Sequence, residues 1–209
     1  MNRQTNSRRE LIKTGMFGAA GLTAFAVVPN VLSAQNTNTA NDLKILNGAL
    51  FYEHQAIWAY SFAAGKLSQS AVGKAVLEIA LANQADHKAH RDVLSKVIKD
   101  LGGTPVTAQA DYLATVTPYI KNGDGNLDTD VNIAKLALAL EVDAAIAYGQ
   151  EAAKLKTPAI ITAAASIGST EASHATVIRS AFKSLGVDIK VIPAAFVSAD
   201  TRKNWIIKV

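Results

Sequence analysis

The sequence contains no cysteine, which excludes disulfides and thiolate metal sites alike. Any ion this chain binds must therefore sit on oxygen and nitrogen ligands. Proline is scarce, at five residues in 209, leaving long stretches in which no residue breaks a helix. Aromatic residues make up 6% of a chain that is 49% hydrophobic. Its apolar content is thus mostly Ala, Leu, Ile and Val, which suits close-packed helices better than a β-sandwich. No glycine-rich phosphate loop, nucleophile elbow or thiol redox pair is present. The apolar run from about Thr14 to Val28 is Gly/Ala-rich and falls short of the roughly 20 residues a membrane span needs. Strong charge is lacking too: residues 1–34 hold four of the 21 basic residues and one of the 17 acidic ones, so the remainder carries 17 − 16 = +1. That balance gives no argument for nucleic-acid binding, which calls for a basic patch on the folded domain, and no nucleic acid is expected as a partner.

What is present begins with a leader. Ser7-Arg8-Arg9-Glu10-Leu11-Ile12-Lys13, followed by the apolar run, Pro29 and the small pair Ser33-Ala34, resembles a twin-arginine export signal, with Leu11 where Phe is usual. The resemblance implies residues 1–34 as the signal, cleavage near Ala34, the export machinery as a partner and a periplasmic location. An uncleaved anchor is the alternative.

After a polar linker at 35–41, four segments without internal proline carry apolar residues at helical spacing. They are expected at about 42–65, 70–101, 129–154 and 157–185, inside a domain of 42–186 followed by a C-terminal extension, 187–209. The first and last connections are short and force antiparallel neighbours, whereas 102–128 is long enough to cross the bundle. The predicted fold is all-α, a four-helix bundle with one long crossover between helices two and three. An internal repeat supports it: Glu53 to Tyr60 aligns with Glu141 to Tyr148, and His90 to Gly102 aligns with His174 to Gly186. Two helical hairpins are therefore expected to face each other about a pseudo-twofold axis. The stretch Asp124 to Asp130 lacks the Gly and Glu of a calcium loop and reads as a polar turn that caps a helix with Asp128 or Thr129.

Six groups interrupt the inward stripes at similar depth: Glu53, His87, His90, Glu141, Glu171 and His174. Buried acids and imidazoles are costly unless paired or metal-bound. Carboxylate-bridged metal centres in bundles take one Glu from each of two helices and Glu-x-x-His from each of the others. Glu53 and Glu141 fill the single positions, and Glu171-Ala-Ser-His174 is a complete pair. Tyr60 and Tyr148, two turns further along the Glu stripes, are candidates to hydrogen-bond the site carboxylates or to pack as core. His54, about 100° round the helix from Glu53, is expected near the site's outer layer or at the surface.

With Leu50-Phe-Tyr-Glu53-His54, Asp86-His87-Lys-Ala-His90 and Glu171-Ala-Ser-His174 in view, the chain resembles the ferritin-like superfamily, in particular its twin-arginine-exported bacterial branch. The resemblance implies an iron or manganese site, mono- or dinuclear, with oxidase or peroxide-removing activity as one outcome. A metal-free stress-protective or partner-binding bundle is the alternative, and a homo-oligomer stays open. One departure matters. His87 stands where the pattern has Glu, and a neutral imidazole cannot span two ions as a carboxylate does. Three carboxylates against two divalent ions leave one positive charge uncompensated. Asp86, four residues before His90 and about 40° from it round the helix, is the candidate to restore the missing charge.

Overall fold

The computed structural model describes residues 36–209, with side chains from residue 38 onward; the leader expected at 1–34 lies outside the described residues. Four long helices carry the fold: α1 (Asn36–Ala64), α2 (Ala71–Asp100), α4 (Asp130–Ala152) and α5 (Pro158–Ser184). A short helix, α3 (Leu113–Lys121), lies in the crossover, and a 3-10 turn (Ala199–Thr201) leads into a last turn, α6 (Arg202–Trp205). No strand occurs among the described residues. No described helix is long and apolar enough to cross a membrane.

Local chemistry sets the helix ends. Ser70 accepts a hydrogen bond from Gly73 N at 3.0 Å to start α2, and Thr129 accepts from Asn132 N at 3.1 Å to start α4, each covering a backbone donor the first turn leaves open. The turn at 124–130 thus ends in a cap at Thr129. Gly102 and Gly186 follow α2 and α5 with φ of 78° and 87°, left-handed values that an L side chain resists. Gly103 N then reaches Ile98 O at 2.9 Å and Val187 N reaches Phe182 O at 3.1 Å. The Leu-Gly repeat of the sequence is one helix-terminating device used twice.

Backbones approach most closely within the hairpins α1–α2 and α4–α5. The helical spacing places Leu46, Leu50, Leu94, Val97, Leu138, Ile160, Ile167 and Ile178 inward, and all are buried; the same spacing places Leu185 inward at the end of α5, where the structure differs. Leu185 is 52% exposed and Phe182 is buried in its place, because α5 ends at Ser184 and the stripe's spacing holds only while the helix continues. Leu46, Leu50, Leu94, Val97, Ile98 and Ile160 form an apolar cluster at one end. Leu138, Val142, Ile146, Ile178, Phe182 and Trp205 form another at the other end. Each fully buried aliphatic side chain contributes about 1.5–3 kcal/mol. The polar residues lie between the clusters, in mid-bundle.

Helix α1 is already helical at Asn36, the first described residue and ahead of the expected 42, and the turn around Asn41 and Asp42 is tied down by tertiary contacts. Asn41 donates to Lys154 O at 3.0 Å, and the fully buried Asp42 accepts from Lys156 N at 2.8 Å and Thr157 N at 3.0 Å. Thr157 makes no side-chain cap of its own; an acid from α1 holds the positive start of α5 instead. The crossover runs along α1. Val106 N donates to Asn47 Oδ1 at 2.8 Å, His54 Nε2 donates to Val106 O at 3.2 Å, and buried Tyr112 packs on Phe51 and Trp58. The tail packs over the bundle: Arg202 pairs with Asp143 at 2.6 Å and Asp124 at 2.9 Å, while buried Arg179 donates to Trp205 O and to Lys190 O.

Candidate metal centre

All six residues singled out from the stripes converge in mid-bundle. One ligand atom each from Glu53, His87, His90 and Glu171 lie within 4.8 Å of one another, and so do those from His87, Glu141, Glu171 and His174. The quartets share His87 and Glu171. Exchanging the hairpins by the sequence repeat turns Glu53 into Glu141 and His90 into His174, and swaps His87 with Glu171, so it converts one quartet into the other.

The side-chain contacts follow that symmetry only in part, most clearly in the tyrosine pair. His87 Nδ1 donates to Glu53 Oε2 at 2.8 Å, and its Nε2 lies 3.2 Å from Glu141 Oε1. His174 Nδ1 lies 3.2 Å from Glu141 Oε2. Tyr60 on α1 donates to Glu141 on α4, and Tyr148 on α4 donates to Glu53 on α1. Asn83, missed as a site residue although it sits on the α2 stripe, donates to the Tyr60 hydroxyl at 3.0 Å; Ile167 takes the equivalent place in α5. Asp86 is not a member of either quartet. Its carboxylate, 57% exposed, accepts from His174 Nε2 at 3.1 Å, so it orients an imidazole from outside instead of replacing the missing bridging acid. His54 is engaged with the crossover and joins neither quartet.

The electrostatics are uneven. Burial alone would raise Glu53 and Glu141. Hydrogen bonds and charge from His87 and His90 nevertheless hold Glu53 below the usual carboxylate range, and the contacts of His87 and His174 hold Glu141 well below it. Glu171 goes the other way, pushed up by burial. Burial also opposes charge on the imidazoles, but the facing carboxylates outweigh it, raising His90 to about 9, His174 to about 10, and His87 well above its ordinary value. Burial and the adjacent acids push Tyr60 and Tyr148 well up as well, so both stay neutral donors.

Both carboxylate oxygens of Glu171 and the Nδ1 of His90 are buried without a hydrogen-bond partner, although His90 Nδ1 approaches Glu171 Oε1 to 3.0 Å. A buried carboxylate left in this state costs free energy, and it is the one acid that both quartets share. Oxygen and imidazole donors without sulfur suit iron, manganese and similar ions. The residues present therefore fit a metal, and the cluster is capable of holding one.

Residues 41–184 match the family described as Ferritin-like domain, and the chain belongs to that family. Among solved structures, a conserved hypothetical protein, rv2844, from Mycobacterium tuberculosis shares the fold with a TM-score of 0.58 and 23% identity. The alignment covers 76% of this chain and 99% of that one. No match was found among curated proteins.

Proposed function

We propose that this protein is an exported ferritin-like bundle that binds iron or manganese at the mid-bundle cluster. The observation that carries the reading is Glu171, an acid common to two ligand quartets whose oxygens make no hydrogen bond. Glu53, His87, His90, Glu141, Glu171 and His174 would hold the metal, and a redox-active ion there supplies electron transfer to oxygen or peroxide. The chain's own groups do the rest. Tyr60 and Tyr148 fix one oxygen each of Glu141 and Glu53, Asp86 fixes His174, and apolar clusters flank the site on both sides. Uptake of a metal displaces the protons carried by the raised imidazoles. The leader's twin-arginine resemblance supports export to the periplasm in the folded state.

The test is to produce the protein with iron or manganese, measure retained metal, and assay oxygen and peroxide consumption. Retained metal with consumption of either oxidant supports the oxidase or peroxide-removing reading. Retained metal without it leaves metal binding standing and removes the catalytic part. A protein that retains no metal after reconstitution supports the second reading, a metal-free protective or partner-binding bundle. That alternative is favoured by the pairing of Glu53 and Glu141 with histidine and tyrosine donors, a network that satisfies both acids within the protein.

A further inference from the structure

The two quartets are related by the hairpin repeat, yet the residues on the axis between them are unlike. Glu171 offers one oxygen to each side: Oε1 lies 3.0 Å from His90 Nδ1 and Oε2 lies 3.3 Å from His174 Nδ1. A carboxylate serves both halves at once. His87 faces the same two halves with its two ring nitrogens, Nδ1 toward Glu53 at 2.8 Å and Nε2 toward Glu141 at 3.2 Å and Glu171 at 3.8 Å. A neutral imidazole has one lone-pair nitrogen and one N–H. If one nitrogen ligates, the other presents hydrogen to the opposite half. His87 therefore completes one quartet at the expense of the other.

The surroundings decide which half it completes. Glu53 takes the shorter contact and acts as acceptor for Nδ1–H at 2.8 Å, so the nitrogen that gives up its proton to an incoming ion is Nε2, which faces Glu141 and Glu171. In that half, His174 is held in the same way, its Nε2–H on Asp86 at 3.1 Å and its Nδ1 facing inward. Both imidazoles of this half thus have a carboxylate on the outer nitrogen, the arrangement that fixes the tautomer and raises ligand basicity at metal sites. The other half keeps Glu53, His90 and Glu171. Among the described residues, both carboxylate contacts of His90 run through Nδ1, so none backs its other nitrogen.

We infer that the cluster is two unequal sites: a tight one formed by His87, Glu141, Glu171 and His174, with Asp86 as positioning residue, and a weaker one formed by Glu53, His90 and Glu171. This ranking rests on the metal-binding reading above.

The experiment titrates the metal-stripped full chain with Mn²⁺, reading heat by calorimetry and free Mn²⁺ by electron paramagnetic resonance. Wild type is compared with Asp86→Asn and His90→Ala, both at positions with some solvent access, with circular dichroism confirming the fold. The ranking predicts two steps in wild type. Asp86→Asn weakens the first step about 10–100-fold, the usual cost of losing such a partner, and His90→Ala removes the second step while sparing the first. Two equal steps in wild type, or loss of the first step in His90→Ala, would overturn the ranking and leave metal binding intact. Absence of any Mn²⁺ binding would overturn the metal-binding reading, and the ranking with it.

Discussion

His87 Nε2 lies 3.8 Å from Glu171 Oε2, and the two residues hold equivalent positions in the two hairpins, so an imidazole faces a carboxylate where the repeat would place like against like. This substitution shapes the charge and ligand count of the whole cluster. His87→Glu restores the second carboxylate on the axis. It is expected to tighten binding of a second divalent ion, measured by calorimetric titration with Mn²⁺. An unchanged or weakened second step would show that His87 is not what limits it.

Glu171→Gln keeps the shape of the side chain but removes the charge both quartets share. The metal-free variant should retain the helical spectrum, because burial pushes Glu171 toward its neutral form and an amide keeps an oxygen to face His90 Nδ1 at 3.0 Å or His174 Nδ1 at 3.3 Å. Its metal content should drop steeply. A variant that unfolds without metal would give Glu171 a structural role this account does not assign.

The tyrosines are not equivalent. Tyr60→Phe removes the donor to Glu141 and also strands Asn83 Nδ2, whereas Tyr148→Phe removes only the donor to Glu53. The first variant loses two hydrogen bonds and the second one, each contributing about 0.5–1.5 kcal/mol. Urea denaturation of the metal-free protein should therefore show the Tyr60 variant as the less stable, and the reverse order would contradict the hydrogen bonding described.

Four-helix periodicity, the hairpin repeat and all six cluster residues were legible in the sequence, because acids and imidazoles on an apolar stripe stand out one by one. Less legible were contacts that cross between elements with no local pattern. Asp42 lies beside the polar linker, yet it holds the start of α5, more than a hundred residues away in sequence. The sequence offers Asp86 as a replacement for the missing carboxylate, but helical angle alone does not say that it meets His174 on α5. The tail was open between packing and association, because Arg179 and Arg202 find their partners only in the folded bundle.

In the metal-free protein the histidines carry a pH signature. Folded values of about 9 for His90 and about 10 for His174 lie above the ordinary 6.5, so folding favours their protonated forms. Their contribution to stability is complete below about pH 6.5 and is lost as pH rises through 9 to 10. Denaturation of wild type and His90→Gln at pH 6 and pH 10 should show a gap between the two proteins that narrows at the higher pH. A gap that widens would reverse the sign.

Trp205 anchors the tail, buried in the apolar cluster with its Nε1 donating to Phe196 O at 2.9 Å. Trp205→Ala is expected to cost about 3–5 kcal/mol, read by urea denaturation, without changing metal stoichiometry. A change below about 1 kcal/mol would mean the tail is not part of the folded core, given that buried large-to-small changes typically exceed this.

The most direct test of the central claim is elemental analysis of the purified protein, set beside Glu171→Ala. This account predicts at least one iron or manganese ion per chain in wild type and background levels in the variant. Near-zero metal in a folded wild-type protein, unrestored by reconstitution with either ion, would contradict it and leave the buried Glu/His cluster as a structural network.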